Sequence, residues 1–199
     1  MIYQLTEKDL AKEKVVSSEY VFKGRAVNLR VDTVEVSGCR TTREIVEHPE
    51  CVVVVPVDTQ GNILMVRQFR HAVGRELLEL PAGGIEPGED PASAVRREMS
   101  EETGFSPKNV TSLGGFYSAP GFCTEHLRLF LATDLTPNRL VAEDTEEIDL
   151  VLVPVDKAPA LLDSGQIVDA KSIAGLSTYL RTTKSNTKSQ ESSPQLKSQ

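Results

Sequence analysis

Val52-Val53-Val54-Val55-Pro56-Val57 has no alternation of apolar and polar residues, so the strand it forms must be covered on both faces. Such a strand belongs inside a mixed sheet with helices on its faces, which makes the fold class α/β (α+β). Asp58-Thr59-Gln60-Gly61 then turns the chain into Ile63 to Val66, giving a hairpin. Further strands are expected near Glu76 to Leu80, Val110 to Tyr117, Leu127 to Thr133 and Ile148 to Val153. Ile167 to Leu180 reads as a closing amphipathic helix.

Ahead of this core, Val27, Leu29 and Val31 alternate with Asn28, Arg30 and Asp32, and Ser37-Gly38 marks a turn before Thr41 to Val46. The pattern predicts a small antiparallel sheet, too small to stand alone. It must pack on the main domain or on a second chain. The expected organisation is an N-terminal β-sheet subdomain over 1–48, a main domain over 49–181 and a disordered tail over 182–199, where Ser, Thr, Lys and Gln dominate. The first residues, to about Lys14, are polar with little periodicity.

Composition removes several function classes. With 22 basic against 29 acidic residues the net charge is -7, so no overall positive field draws in nucleic acid or an anionic membrane. No apolar run approaches the roughly 20 residues of a membrane span, and Met1 to Leu10 lacks the pattern of a signal peptide, which points to the cytoplasm. Cys39, Cys51 and Cys123 are expected to be free thiols. His48, His71 and His126 fall in no zinc-binding spacing, so any metal must be held by oxygen.

The chemistry lies in LPAGGIEPGEDPASAVRREMSEETGF, residues 80–105. Asp90 can cap a helix, Pro91 suits its first position, and Gly104 suits the residue after its end, so the helix runs from about Pro91 to Thr103. Ala92, Val95 and Met99 form its packing stripe. Glu98 and Glu102 stack at i, i+4 with Glu101 beside them, at the helix end where the macrodipole disfavours negative charge. A hard divalent cation such as Mg²⁺ or Mn²⁺ would compensate them. The alternative is a solvated acidic face with Arg97 paired to Glu101.

The surroundings favour the metal. Gly83, five residues, Glu89, seven residues, then Arg97-Glu98-Met99-Ser100-Glu101-Glu102-Thr103-Gly104-Phe105 match every position of the Nudix box. Its seven fixed residue types recur by chance on the order of 10⁻⁹ per start position. The sequence resembles the Nudix hydrolases, which cleave a nucleoside diphosphate linked to a further group. The resemblance implies the Nudix fold, with Glu98 and Glu102 as main metal ligands, Glu101 and Glu89 close by, and the Ala82 carbonyl in the shell. It implies that Arg97 steadies the carboxylates and that Gly83 and Gly84 let the backbone approach metal and phosphate.

The flanks resemble the ADP-ribose pyrophosphatase branch: Arg43 to Pro49, Val66 to Arg70, Glu76 to Gly84, and Pro120 within Ser118-Ala119-Pro120-Gly121-Phe122-Cys123-Thr124-Glu125. Together they span residues from about 20 to 180. That branch implies a homodimer built through the N-terminal sheet, with Arg43 and Arg70 on the diphosphate or terminal ribose. Glu79 would accept from adenine or a backbone amide, or face solvent from its strand. Pro120 and Glu125 would lie in the substrate loop. In the loop Ala142 to Glu147, Glu146 matches the acid assigned as ligand or base in the family, and Asp144 falls where some relatives carry a glutamate. Some relatives sandwich adenine between tryptophans, and this chain has none, so either Phe22, Tyr20 or an aliphatic such as Val27 serves instead or recognition of the base is loose.

The expected activity is hydrolysis of ADP-ribose, or a related ADP-sugar, to AMP and ribose 5-phosphate with Mg²⁺ or Mn²⁺. Its rivals are a pyrophosphatase for GDP-mannose or another nucleotide sugar, a Nudix-like sensor that binds ADP-ribose without turnover, and, third, an RNA decapping enzyme, against which the negative charge counts.

Overall fold

The computed structural model describes residues 12–140 and 147–191, the last of them (184–191) as backbone. The chain divides into two compact units, one of Met1–Pro49 with Ala119–Glu125 and the other of Glu50–Ser118 with His126–Gln199.

In the first unit β1 (Lys14–Lys23), β2 (Asn28–Val36) and β3 (Cys39–Glu47) form an antiparallel sheet in that order. Ser37 and Gly38, with φ of 52° and 79°, make the two-residue turn between β2 and β3, where both positions need positive φ. The 119–125 segment adds to the edge of this sheet: Val46 N donates to Phe122 O at 2.8 Å and Thr124 N to Val46 O at 3.0 Å. Arg30 forks onto the buried Asp32 at 2.9 and 3.1 Å. β1 is exposed along its whole length although it carries Val15, Val16, Val21 and Phe22.

The second unit holds two sheets. In one the order is β7 (Ala82–Gly84), β4 (Cys51–Pro56), β9 (His126–Pro137), β8 (Phe105–Tyr117), with β4 and β9 parallel and the other pairs antiparallel. In the other, β5 (Asn62–Arg70) lies between β10 (Ile148–Pro154) and β6 (Arg75–Glu79). β4 is covered on both sides, as its unbroken apolar run requires. Val53 and Val55 face a cluster with Ile63, Met65, Leu129, Val153, Leu176 and Tyr179, whereas Val52 and Val54 face Ala94, Val95, Met99 and Phe130. Thus α3 (Ala170–Glu191) covers one face and α1 (Pro91–Glu102) the other, with the short α2 (Ala158–Asp163) beside α3's cluster. α3 approaches closely because Gly175 has no side chain: a Cβ there would lie 2.5 Å from Leu80 Cδ1. Among the described residues no helix is long and apolar enough to cross a membrane.

Three features differ from the sequence reading. α1 packs through Ala94, Val95 and Met99, and Ala92 is only half-buried because it lies in the first turn. β7 was not foreseen, since Ala82-Gly83-Gly84 has poor strand propensity and pairs with β4 through tertiary context. α3 starts at Ala170 and continues to Glu191, through residues assigned to a disordered tail. Once a helix is nucleated by a packed face, Lys, Ser and Gln extend it at little cost.

Candidate active site

The acids are set in place by the helix that carries them and by the six residues that run beside it. Asp90 caps α1 by accepting from Ala92 N at 3.0 Å and Ser93 N at 3.2 Å. Gly104, at φ 79°, lets the chain leave the other end. Between them Arg97 gathers the carboxylates. Its Nε and Nη2 meet the two oxygens of Glu89 at 3.0 and 2.9 Å, its Nη1 reaches Glu98 Oε1 at 2.7 Å and Glu101 Oε2 at 3.5 Å, and Nη2 also donates to Gly84 O at 2.8 Å. These bonds, the Glu89 fork foremost, hold the guanidinium above its ordinary pKa and Glu89 below the usual carboxylate range.

The segment from Glu79 to Gly84 is fixed at each residue. Glu79 is buried, taken bidentately by Arg70 at 2.7 to 3.2 Å and also by Lys171. Leu80 N donates to Ser172 Oγ at 2.7 Å, Pro81 O accepts from Val54 N at 2.9 Å, and Ala82 N donates to Glu102 Oε2 at 3.1 Å. Gly83 lies against Glu98 so closely that a Cβ there would fall 2.0 Å from its carboxyl carbon. Gly84 supplies the carbonyl for Arg97.

The site's electrostatics are those of a place short of positive charge. Burial pushes Glu98 up, Arg97 opposes this, and repulsion from Glu101 and Glu89 adds to it. Burial, reinforced by Glu98, pushes Glu102 up to about 8, against the Ala82 N–H and the charges of Lys171 and Arg70. Two adjacent carboxyls that resist ionisation fit a divalent cation, since oxygen donors at such spacing suit a hard metal and its charge would lower both values. Glu79 behaves oppositely. Its burial alone would raise it, yet Arg70 and Lys171 hold it low.

The structure thus brings together Arg70, Glu79, Ala82, Gly83, Gly84, Glu89, Arg97, Glu98, Glu101 and Glu102 in one unit. Glu79 does not face solvent and, among the described residues, meets no backbone amide; two cations hold it, because a buried carboxylate needs charged partners. Arg43 lies in the other unit, where its Nη2 meets Glu13 Oε1 at 2.6 Å. Pro120 and Glu125 belong to that unit too, Glu125 Oε1 lying 3.8 Å from His48 Nδ1. There Tyr20 Oη donates to Glu47 Oε1 at 3.3 Å, Phe22 is exposed and Val27 half-buried. Glu146 and Asp144 lie outside the described residues. Lys171, Asp169 and Ser172 escaped the sequence reading. An Asp ahead of an apolar helix is a cap signal, and Ser172 N does donate to Asp169 Oδ2 at 3.0 Å, but nothing local could pair Lys171 with a residue 92 positions away.

Comparison with known proteins agrees with this geometry. The NUDIX domain model matches residues 47–176. The chain is 37% identical over 163 residues to an ADP-ribose pyrophosphatase of Bacillus subtilis (strain 168), covering 80% of this chain and 88% of that protein. It is 38% identical over 167 residues to an ADP-ribose pyrophosphatase of Mycobacterium tuberculosis (strain ATCC 25618 / H37Rv), covering 82% and 81%. A solved structure described as the crystal structure of ADP compounds hydrolase superposes with a TM-score of 0.82 at 26% identity, over 90% of this chain and 98% of the other. With its box residues gathered around Arg97 and its NUDIX match running through β4, α1 and into α3, the chain belongs to the NUDIX family.

Proposed function

We propose that this chain hydrolyses the diphosphate of ADP-ribose to AMP and ribose 5-phosphate with Mg²⁺ or Mn²⁺, as a cytoplasmic homodimer joined through its N-terminal sheet. The observation that carries the reading is the pair Glu98, buried against the Gly83 backbone, and Glu102, half-buried on the Ala82 N–H, both resisting ionisation. The relatives named ADP-ribose pyrophosphatase supply the substrate.

Glu98, Glu102 and the Ala82 carbonyl are the residues to hold the metal. When bound, a divalent cation offsets charge developing on the diphosphate oxygens and acidifies the attacking water. Arg97 keeps Glu89, Glu98 and Glu101 oriented through four of its donor directions. Arg70, whose Nε and Nη2 hold Glu79, and Arg43, whose Nε and Nη2 hold Glu13, are the proposed guanidinium contacts to phosphate or ribose, and Gly84 offers a backbone without a Cβ in the way. Glu146 is the proposed base and a further ligand, and Pro120 and Glu125 shape the substrate loop. Phe22, Tyr20 or Val27 takes the place of tryptophan against adenine. The exposed apolar residues of β1, Val15, Val16, Val21 and Phe22, support a second copy covering that sheet.

The test is incubation of the purified protein with ADP-ribose, ADP-glucose, GDP-mannose and NADH, with and without Mg²⁺, followed by chromatography. AMP and ribose 5-phosphate released from ADP-ribose only with metal is the expected result. GMP from GDP-mannose in preference would overturn the substrate, and binding of ADP-ribose without turnover would make the protein a sensor.

A further inference from the structure

A group of four charges, centred on the buried Glu79, lies near the proposed metal ligand Glu102 and is not explained by it. Glu79, 1% exposed, accepts from Arg70 and from Lys171; Lys171 Nζ also meets Asp169 Oδ2 at 3.0 Å. The second oxygen of Asp169, Oδ1, is buried with no hydrogen-bond partner among the described residues. Lys171 is therefore shared by two carboxylates, one of them short of partners. It comes from the first turn of α3, whose next residue, Ser172, fixes Leu80 N. Arg70 comes from the end of β5, and its side chain keeps 36% of its surface open although its Nε and Nη2 are committed to Glu79.

Two cations on one buried carboxylate define each other's places. A guanidinium has a rigid fork, so a carboxylate whose Oε2 also accepts from an ammonium fixes its plane as well as its position. We propose that Lys171 is a positioning residue for the diphosphate: by sharing the Glu79 carboxylate with Arg70, it fixes the guanidinium that meets the substrate's phosphate oxygens. This rests on the ADP-ribose reading above. Lys171 acts through Glu79 and Arg70 and does not touch the substrate itself. Without its charge, Glu79 is repelled by Asp169 and turns wholly to Arg70, and Arg70 is lost to the phosphate.

The test measures KM and kcat for ADP-ribose at saturating Mg²⁺, and ADP-ribose affinity by calorimetry without metal, in wild type, Lys171→Met, Lys171→Arg, Arg70→Ala and the Arg70→Ala/Lys171→Met pair. Lys171→Met is expected to raise KM and the metal-free Kd about tenfold, the worth of one phosphate contact, with kcat within about threefold of wild type. Lys171→Arg restores most of the loss. On the Arg70→Ala background Lys171→Met has no further effect. An unchanged KM, an equal effect with and without Arg70, or a fall in kcat alone overturns the proposal. Should Lys171→Met not fold, Glu79→Gln/Lys171→Met removes both charges together and is expected to show the same rise in KM; a wild-type KM in that pair is equally fatal. If wild type binds ADP-ribose without cleaving it, the hydrolase reading fails while the metal-free affinities still decide the role of Lys171. If wild type does neither, both readings fall.

Discussion

Replacing Gly83 by alanine tests the arrangement of the acids at a single atom. A Cβ on Gly83 would lie 2.0 Å from Glu98 Cδ and 2.1 and 2.2 Å from its two oxygens. Ordinary carbon contact is about 3.5 Å, so the Glu98 carboxyl must retreat by about 1.5 Å. Side-chain rotation can supply that movement, so the fold should survive. The Arg97 bond at 2.7 Å cannot survive unchanged, and a ligand displaced by more than an ångström costs on the order of 10²-fold in rate. Stability moves less, because Glu98 is held in a setting that already resists its charge, and releasing it offsets the lost bond of about 1.5–3 kcal/mol. The neighbouring Gly84 provides the contrast, since its Cβ would meet nothing within 4 Å and its carbonyl would still face Arg97. Metal-dependent release of AMP and thermal unfolding, measured on both variants, decide the matter. Gly83→Ala should lose about 10²-fold in kcat with a melting temperature within a few degrees of wild type, and Gly84→Ala should lose less than about tenfold. Equal losses in the two variants, or full activity in Gly83→Ala, would refute the reasoning.

Other consequences follow from the same geometry. Glu102→Gln should reduce turnover by about 10²-fold or more while the metal-free protein melts no lower than wild type, because its carboxyl is favoured neutral; retained turnover would remove Glu102 from the site. With Glu102 pushed up to about 8, the native state binds more protons than the unfolded state between the ordinary carboxylate range and pH 8, so metal-free stability should fall as pH rises through that window. Divalent cation added at pH 7 should release about one proton, read by calorimetry in buffers of different ionisation enthalpy, and a lack of release would contradict the raised value. Phe22→Glu on β1 should shift the mass in sedimentation from dimer to monomer; an unchanged mass would place the dimer contact elsewhere.

Much of the fold was open to sequence reading where one residue's neighbours in the chain decide its state. Val52 to Val55 could only be a strand with two covered faces, and Asp90-Pro91 with Gly104 bounded α1 to within a residue. The box was legible for the same reason, since a helix sets Arg97 and Glu101 in reach of one another by spacing alone. What was not legible depends on distant partners. Ala82 to Gly84 has no strand propensity and becomes β7 only because β4 is there to pair with it. Glu79 looked like any acid on a strand, and its burial depends on a lysine 92 residues later. Pattern also misplaced the start of α3: Ile167 is apolar and in phase, yet it packs in the core ahead of the helix, which Asp169 caps.

Placing Glu79 and Glu98 in one buried region is costly unless the two are served differently, and the structure does serve them differently. The Glu79 carboxylate has two cations and is kept charged, so that it can act as a fixed anchor for the residues on either side of it. Glu98 and Glu102 have one guanidinium among several acids and are kept short of charge, so that binding a divalent cation relieves a standing repulsion. The residues between them, Leu80 to Gly84, connect the two settings with hydrogen bonds at consecutive positions and with a glycine where no side chain fits. A chain that needed only a stable helix here would have paired its acids and left none in excess. The uncompensated charge is stability given up at the place where the family's chemistry requires a metal.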